Sequence, residues 1–196
     1  MRKEVDVVVL DYGNVMTLPQ DTDLLDEVRR ELALDWPDFN LLYASKRKEL
    51  DRGDLNLEEY WRELLDAHGV EPRDEEVRRY ADIDRLSWSA VNGRMVEWVE
   101  RLQEEDRRPY LLSNMPRDFY HSVVRESHWY ALFEGSVISG LVGMVKPHLE
   151  IFEHLLELTA SEPARTLFID DLEENVEAAR RAGLEALLFR SPGETV

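Results

Sequence analysis

The chain has no cysteine. Disulfides and thiolate metal sites are therefore excluded, and whatever chemistry it performs must use oxygen and nitrogen groups. It has no apolar run near the roughly 20 residues that a spanning helix needs. It is also poor in lysine, with only Lys3, Lys46, Lys48 and Lys146. Positive charge is scarce overall: 24 Lys and Arg stand against 42 Asp and Glu, for a net charge of -18. Nucleic acid and anionic membrane surfaces are excluded as partners, because binding them takes clustered cations. Runs such as Glu27-Val28-Arg29-Arg30-Glu31 read as solvated helix faces. An acidic envelope repels anionic substrates at long range, so a phosphate site here must supply its own local positive charge.

What is present suits one core domain with a modest insertion: 196 residues, 43% hydrophobic and 34% charged. The start, Val5-Asp6-Val7-Val8-Val9-Leu10, is too short and too acidic for a secretion signal. It reads as a buried parallel strand, and a cytoplasmic location is expected. The strand ends at Asp11-Tyr12-Gly13-Asn14, a tight turn.

From about Asp21 to Ala90 the pattern turns helical. Helices are expected over Asp23–Leu34 and Phe39–Arg52, the second stopped by Gly53. A third opens at the capping box Asn56-Leu57-Glu58-Glu59 and runs to His68-Gly69; a fourth follows Pro72, over Asp74–Trp88. The helix Val91–Glu105 returns to the main body. Strands are then expected at Pro109–Ser113, Ser136–Ser139, Thr166–Asp170 and Ala186–Phe189, with helices from Arg117, over Leu149–Leu158 and over Glu173–Ala182. This alternation implies an α/β fold, a parallel sheet with helices on both faces. The expected division is a core of residues 1–16 and 90–196 and an all-helical insertion of residues 17–89 after the first strand.

Three strands end in polar residues that a buried strand does not need: Asp11, Ser113-Asn114 and Asp170-Asp171. Ligands bind at the carboxyl ends of parallel strands, so all three should face one crevice. A single such Asp would be explained as a helix cap. Three strand ends, together with the lone Lys146 in Gly143-Met144-Val145-Lys146-Pro147, point to a site.

In order and spacing, Val7–Val15 with Asp11, Leu111-Leu112-Ser113-Asn114, Lys146-Pro147 and Phe168-Ile169-Asp170-Asp171 resemble the four signature motifs of the haloacid dehalogenase superfamily. The helical insertion resembles its C1-type cap, and the sheet its Rossmann-like core. The nearest likeness is to the branch with bacterial α-glucose-1-phosphate phosphatases and the N-terminal phosphatase domain of soluble epoxide hydrolase. The resemblance implies a phosphatase acting on a small phosphorylated metabolite such as a sugar phosphate, through an aspartyl-phosphate on Asp11. It implies Mg²⁺ held by Asp11, the Gly13 carbonyl and Asp171, with Asp170 a direct or supporting ligand and Asn175 bracing the site. Oxygen-only ligands suit that ion. Lys146 would offset charge on the phosphoryl oxygens, Ser113 would donate to the phosphate, Asn114 would add a side-chain or backbone donor, Asn14 would bind substrate, and backbone N–H groups following Asp11 would complete the cradle.

Most phosphatases of the superfamily carry a second Asp two residues after the nucleophile as general acid and base; here that position is Gly13. Such help is typically worth 10²–10⁴-fold, roughly 3–5 kcal/mol. A good leaving group, a cap residue or a water could replace it; His121 and His128 are candidates, although exposure explains a histidine there more readily. Two alternatives to the phosphatase remain: a metal-independent 2-haloacid dehalogenase, which generally lacks the paired acids, and a catalytically inactive binding protein. Tyr43 and Arg47, four residues apart, are candidates for the non-phosphate part of the substrate, against the plainer reading of a basic patch pairing with nearby acids. Trp36, Trp61, Trp88, Trp98 and Trp129 are expected to pack the core and cap. A monomer or a homodimer would accommodate all of this.

Overall fold

The structure, a computed structural model, describes residues 4–71 and 73–191. Residues 1–3, Pro72 and 192–196 lie outside the described residues, so the helix expected behind Pro72 is described from Arg73 onward.

Five parallel strands form one sheet in the order β3-β2-β1-β4-β5: β1 Val7–Leu10, β2 Arg108–Ser113, β3 Gly135–Ile138, β4 Thr166–Asp170 and β5 Glu185–Leu188. The first strand lies at the centre, with Leu10 in register with Leu111 on one side and Ile169 on the other. Successive side chains point to opposite faces. Val7 and Val9 join one buried cluster with Ile151, Phe152 and Leu155 of α9 (Leu149–Thr159) and Val176 and Ala179 of α10 (Glu173–Arg181). Val8 and Leu10 join a second with Met95 and Val99 of α6 (Gly93–Glu104). Both faces of β1 are dry, which is why it reads as an unbroken apolar run.

Between β1 and α6 the described residues form a π-helical turn, Tyr12–Met16, and five α-helices: α1 Thr22–Glu31, α2 Trp36–Ala44, α3 Arg47–Arg52, α4 Leu57–His68 and α5 Asp74–Ser87. Their interior is built on Phe39, Tyr60, Trp61, Leu64, Leu65 and Val77 and is continuous with the second cluster of the core. The capping box at Asn56 and Glu59 forms in both directions, at 2.9 Å each way.

The single helix expected over Phe39–Arg52 is in fact two. The Ser45 hydroxyl donates to the Leu42 carbonyl at 2.6 Å, and Lys46 leaves helical geometry (φ -122°, ψ 12°). A local hydroxyl bond of this kind competes with the helical ladder. The first piece also begins earlier than periodicity suggested, because Asp35 accepts from the Asp38 N–H and Pro37 follows in the first turn. The break re-aims Arg47 and Asp51. Beyond β2 lie two short helices, α7 Arg117–Phe119 and α8 Ser139–Val142. Among the described residues, no helix is long and apolar enough to cross a membrane.

Candidate active site

The carboxyl ends of β1, β2 and β4 open into one cavity of about 240 Å³. Asp11, Gly13 and Asn14 line it from the turn after β1, Ser113 from the end of β2 and Asn114 from just beyond it, Lys146 from the loop before α9, Asp171 from just beyond β4 and Asn175 from α10. Four segments far apart in the chain thus meet where the sequence places them. The β1–β4 pairing continues through the Asp11 N–H, which donates to the Ile169 carbonyl at 2.9 Å and sets Asp11 beside Asp170.

Lys146 Nζ stands 2.7 Å from Asp11 Oδ1 and 2.6 Å from Asp170 Oδ2, and it also donates to the Leu112 carbonyl at 3.2 Å. The Lys146 and Asp170 side chains are 1% and 0% exposed. A charge so buried must be paired, and here one cation is shared by two anions. Burial pushes the Asp11 carboxyl up to about 7; Lys146 opposes the rise, and the charges of Asp170 and Asp171 reinforce it. Burial works against the charge on Lys146, but Asp11 and Asp170 outweigh it and hold the ammonium above its ordinary value.

Asp170 is tightly engaged. Its Oδ1 accepts from the Leu172 N–H at 2.8 Å, and Asn175 Nδ2 reaches both of its oxygens, at 3.0 and 3.1 Å. Asn175 thus braces Asp170. Asp171 is half-buried and accepts from Asn14 Nδ2 at 2.8 Å. One carboxylate oxygen from each of Asp11, Asp170 and Asp171 lies within 4.8 Å of the others. Three acids against a single lysine leave an excess of negative charge that a divalent cation would neutralise, and the donors are all hard oxygens.

Other expected residues take different places. Asn114 lines the cavity while its amide is also engaged by the lysine loop: its Nδ2 donates to the Lys146 carbonyl at 2.9 Å and its Oδ1 accepts from the Lys146 N–H at 2.8 Å. It clamps the lysine loop. The Asn14 N–H is committed to Thr17 Oγ1 at 3.0 Å, so it adds no donor to the cradle; at φ 57° this is the left-handed geometry that Asn tolerates. Tyr43 is outside the cavity lining. Its hydroxyl is saturated, donating to Asp84 Oδ1 at 2.6 Å and accepting from Gln20 and Arg47 at 3.0 Å each. Arg47 does line the cavity, while also pairing with Asp51 at 3.2 Å and Asp84 at 3.8 Å, so the basic-patch reading describes it equally well. His121 and His128 are exposed and line no part of the cavity.

Several lining residues carried no legible signal in the sequence. From the insertion come Asp51, Leu57, Asp84 and Trp88; from the core come Met115, Pro116, Phe119 and Leu172. Trp88 was expected to be packing, yet it forms a wall of the cavity, and its indole N–H is buried without a hydrogen-bond partner. Trp61 and Trp129 are buried as expected.

A family model described as a haloacid dehalogenase-like hydrolase matches residues 5–183. A sesquiterpene phosphatase of Aspergillus oryzae is 37% identical over 97 residues, 49% of this chain and 49% of that protein, so the shared stretch spans about half the relative's length. Among solved structures, a haloacid dehalogenase family enzyme of Bacteroides thetaiotaomicron superposes with a TM-score of 0.78 at 20% identity, over 98% of this chain and 96% of that one. The L-2-haloacid dehalogenase of Xanthobacter autotrophicus superposes with a TM-score of 0.67 at 16% identity, over 93% and 76%.

Proposed function

Because the chain belongs to the haloacid dehalogenase-like hydrolases, we propose that it is a Mg²⁺-dependent phosphatase that takes the phosphoryl group of a small metabolite onto Asp11. The observation that carries this reading is the convergence of Asp11, Asp170 and Asp171 within 4.8 Å around the buried Lys146. Asp11, the Gly13 carbonyl and Asp171 would hold the ion, with Asp170 behind them as the fully engaged partner of Lys146 and Asn175. When bound, Mg²⁺ would neutralise the carboxylates and the phosphoryl oxygens enough for one anion to approach the other. The B. thetaiotaomicron enzyme has been solved in complex with magnesium and inorganic phosphate, which supports the same ligands here.

In this reading an Asp11 oxygen attacks phosphorus; its O–P bond forms as the ester O–P bond breaks. Water then attacks the aspartyl phosphate, releasing inorganic phosphate and restoring Asp11. Lys146 Nζ offsets the charge that builds on the equatorial oxygens, and the Ser113 hydroxyl donates to one of them. Asn114 acts through Lys146, by holding its loop.

We further propose a core of residues 1–16 and 90–196 under a C1-type cap of residues 17–89. Support comes from the two-stranded neck joining them, where the Leu18 N–H donates to the Ala90 carbonyl at 2.8 Å and the Asn92 N–H to Met16 at 2.9 Å. The turn Asp11-Tyr12-Gly13-Asn14 favours the α-glucose-1-phosphate phosphatase branch. Two substrate bodies are supported: a sugar by the Arg47, Asp51 and Asp84 group, and an isoprenoid by the Leu57, Trp88, Met115 and Phe119 walls and by the A. oryzae relative.

The test is release of phosphate from p-nitrophenyl phosphate with Mg²⁺ and its loss with EDTA, followed by a screen of sugar and isoprenoid phosphates. Chloride release from 2-chloropropionate without metal would instead identify a dehalogenase. The paired acids Asp170 and Asp171 weigh against that outcome.

A further inference from the structure

A cap residue can stand where Gly13 leaves the active site without its acid. Nothing in the backbone demands glycine at this position, whose φ of -62° and ψ of 132° suit any residue. The neighbour there is an indole: a Cβ on Gly13 would lie in van der Waals contact with the Trp88 ring, at 3.5 Å. We propose that Asp51, at the end of α3, is the missing catalytic acid and base, giving a proton to the leaving oxygen and later taking one from the attacking water. This rests on the phosphatase reading above.

Two acids of the cap face the cavity, and their surroundings differ. Asp84 is satisfied: Tyr43 donates to its Oδ1 at 2.6 Å and Trp61 to its Oδ2 at 3.2 Å. Asp51 is not. Its Oδ1 is buried and makes no hydrogen bond; its charge partner is Arg47 Nε, at 3.2 Å. Asp51 lines the same cavity as Asp11, Ser113 and Lys146.

Asp51 is also fixed to the core rather than carried loosely on the cap. The Ser139 hydroxyl donates to the Asp51 carbonyl and accepts from the Met115 N–H at 2.8 Å, so one side chain ties Asp51 to the loop following Ser113. Two residues on, Gly53 packs directly against the Gly140 backbone. Burial raises the Asp51 carboxyl above its usual range and Asp84 adds to the rise, against Arg47 and, last, Lys146.

The step balances. As the Asp11 O–P bond forms and the ester bond breaks, the Asp51 proton passes to the departing alkoxide, leaving Asp51 ionised. When water attacks the aspartyl phosphate, Asp51 takes its proton, Asp11 is released, and the carboxylic acid is restored.

Phenyl phosphate and p-nitrophenyl phosphate share a body but differ in leaving group, so they isolate proton donation. Asp51→Asn should lower kcat on phenyl phosphate by about 10²–10⁴-fold, and on p-nitrophenyl phosphate by a factor at least roughly ten times smaller. Asp51→Glu should recover part of the phenyl phosphate turnover. Equal losses on the two substrates would overturn the proposal. A second measurement needs no variant: the unsubstituted protein should turn over both within about tenfold, and a steep preference for the nitrophenyl ester would count against proton donation. Absence of any turnover by the unsubstituted protein would remove the phosphatase reading itself.

Discussion

Lys146 Nζ and Asp11 Oδ1 are 2.7 Å apart in a setting where the lysine side chain is 1% exposed and the aspartate 10%. The same ammonium serves Asp170 at 2.6 Å. Removing the lysine would leave two buried carboxylates without their cation, and breaking such a pair costs about 3–5 kcal/mol. Lys146→Ala should therefore lose stability of that order in urea titrations without Mg²⁺, as well as phosphatase activity. Asp11→Asn, which keeps an acceptor for the lysine, should lose activity with a far smaller loss of stability. Equal stability of Lys146→Ala and the unsubstituted protein would contradict the pairing.

Mg²⁺ should raise the melting temperature, because a ligand of the folded state alone stabilises it by about 2.7 kcal/mol at a hundred times its Kd. Asp171 is only half-buried, whereas Asp170 is fully buried and hydrogen-bonded at both oxygens. Asp171→Asn should thus keep the metal-free melting temperature and flatten the Mg²⁺ response. Asp170→Asn should lower both. Thermal melts over a Mg²⁺ titration distinguish the two patterns, and a flat response from the unsubstituted protein would remove the metal site.

Gly53 and Gly69 are both left-handed helix ends, at φ 86° and 79°, but only Gly53 meets another segment, with an added Cβ falling 2.5 Å from the Gly140 carbonyl oxygen. Alanine at Gly69 should cost about 1 kcal/mol, the conformational penalty alone. Gly53→Ala should cost measurably more, and should also slow turnover if Asp51 is positioned by this contact. Denaturant unfolding of the two variants side by side isolates the difference.

Acid should loosen the cap. Glu31 at the end of α1 is held below its ordinary value of 4.5 chiefly by the hydrogen bond from Arg79, with the Tyr80 hydroxyl adding at 2.8 Å. A carboxyl whose folded value is depressed stabilises above its unfolded value and loses that contribution as pH falls through the folded one. The melting-temperature gap between the unsubstituted protein and Glu31→Gln should be constant from neutral pH down to about pH 5, then close in stronger acid. The pair is largely exposed, so the gap should also shrink with salt.

Much of this was legible because strand ends are local features. An apolar run that stops at Asp11, and another that stops at Asp170-Asp171, declare their burial and their polar tips in the same few residues. Asn175 was readable only through the family resemblance, and in the fold it braces Asp170. The cap was not readable in this way. Periodicity identifies the apolar face of α3 or α5, but not which end of a helix overhangs the core; that is decided by long-range ties such as Ser139 to Asp51. Asp51 and Asp84 therefore carry no signal in the sequence, and Trp88 reads as packing. Asn114 is legible only in part. An amide at a strand end suits a phosphate or a neighbouring loop equally, and only the fold brought the Lys146 backbone within 2.9 Å.

Phosphoryl transfer through Asp11 would leave a covalent aspartyl phosphate during turnover. Acid-quenching the protein during turnover of p-nitrophenyl phosphate with Mg²⁺, then mapping its peptides by mass, tests this most directly. A hydroxylamine-sensitive phosphoryl group on the peptide carrying Asp11, absent from Asp11→Asn, is the predicted result. Sustained phosphate release by Asp11→Asn, or a label on any other residue, would contradict it.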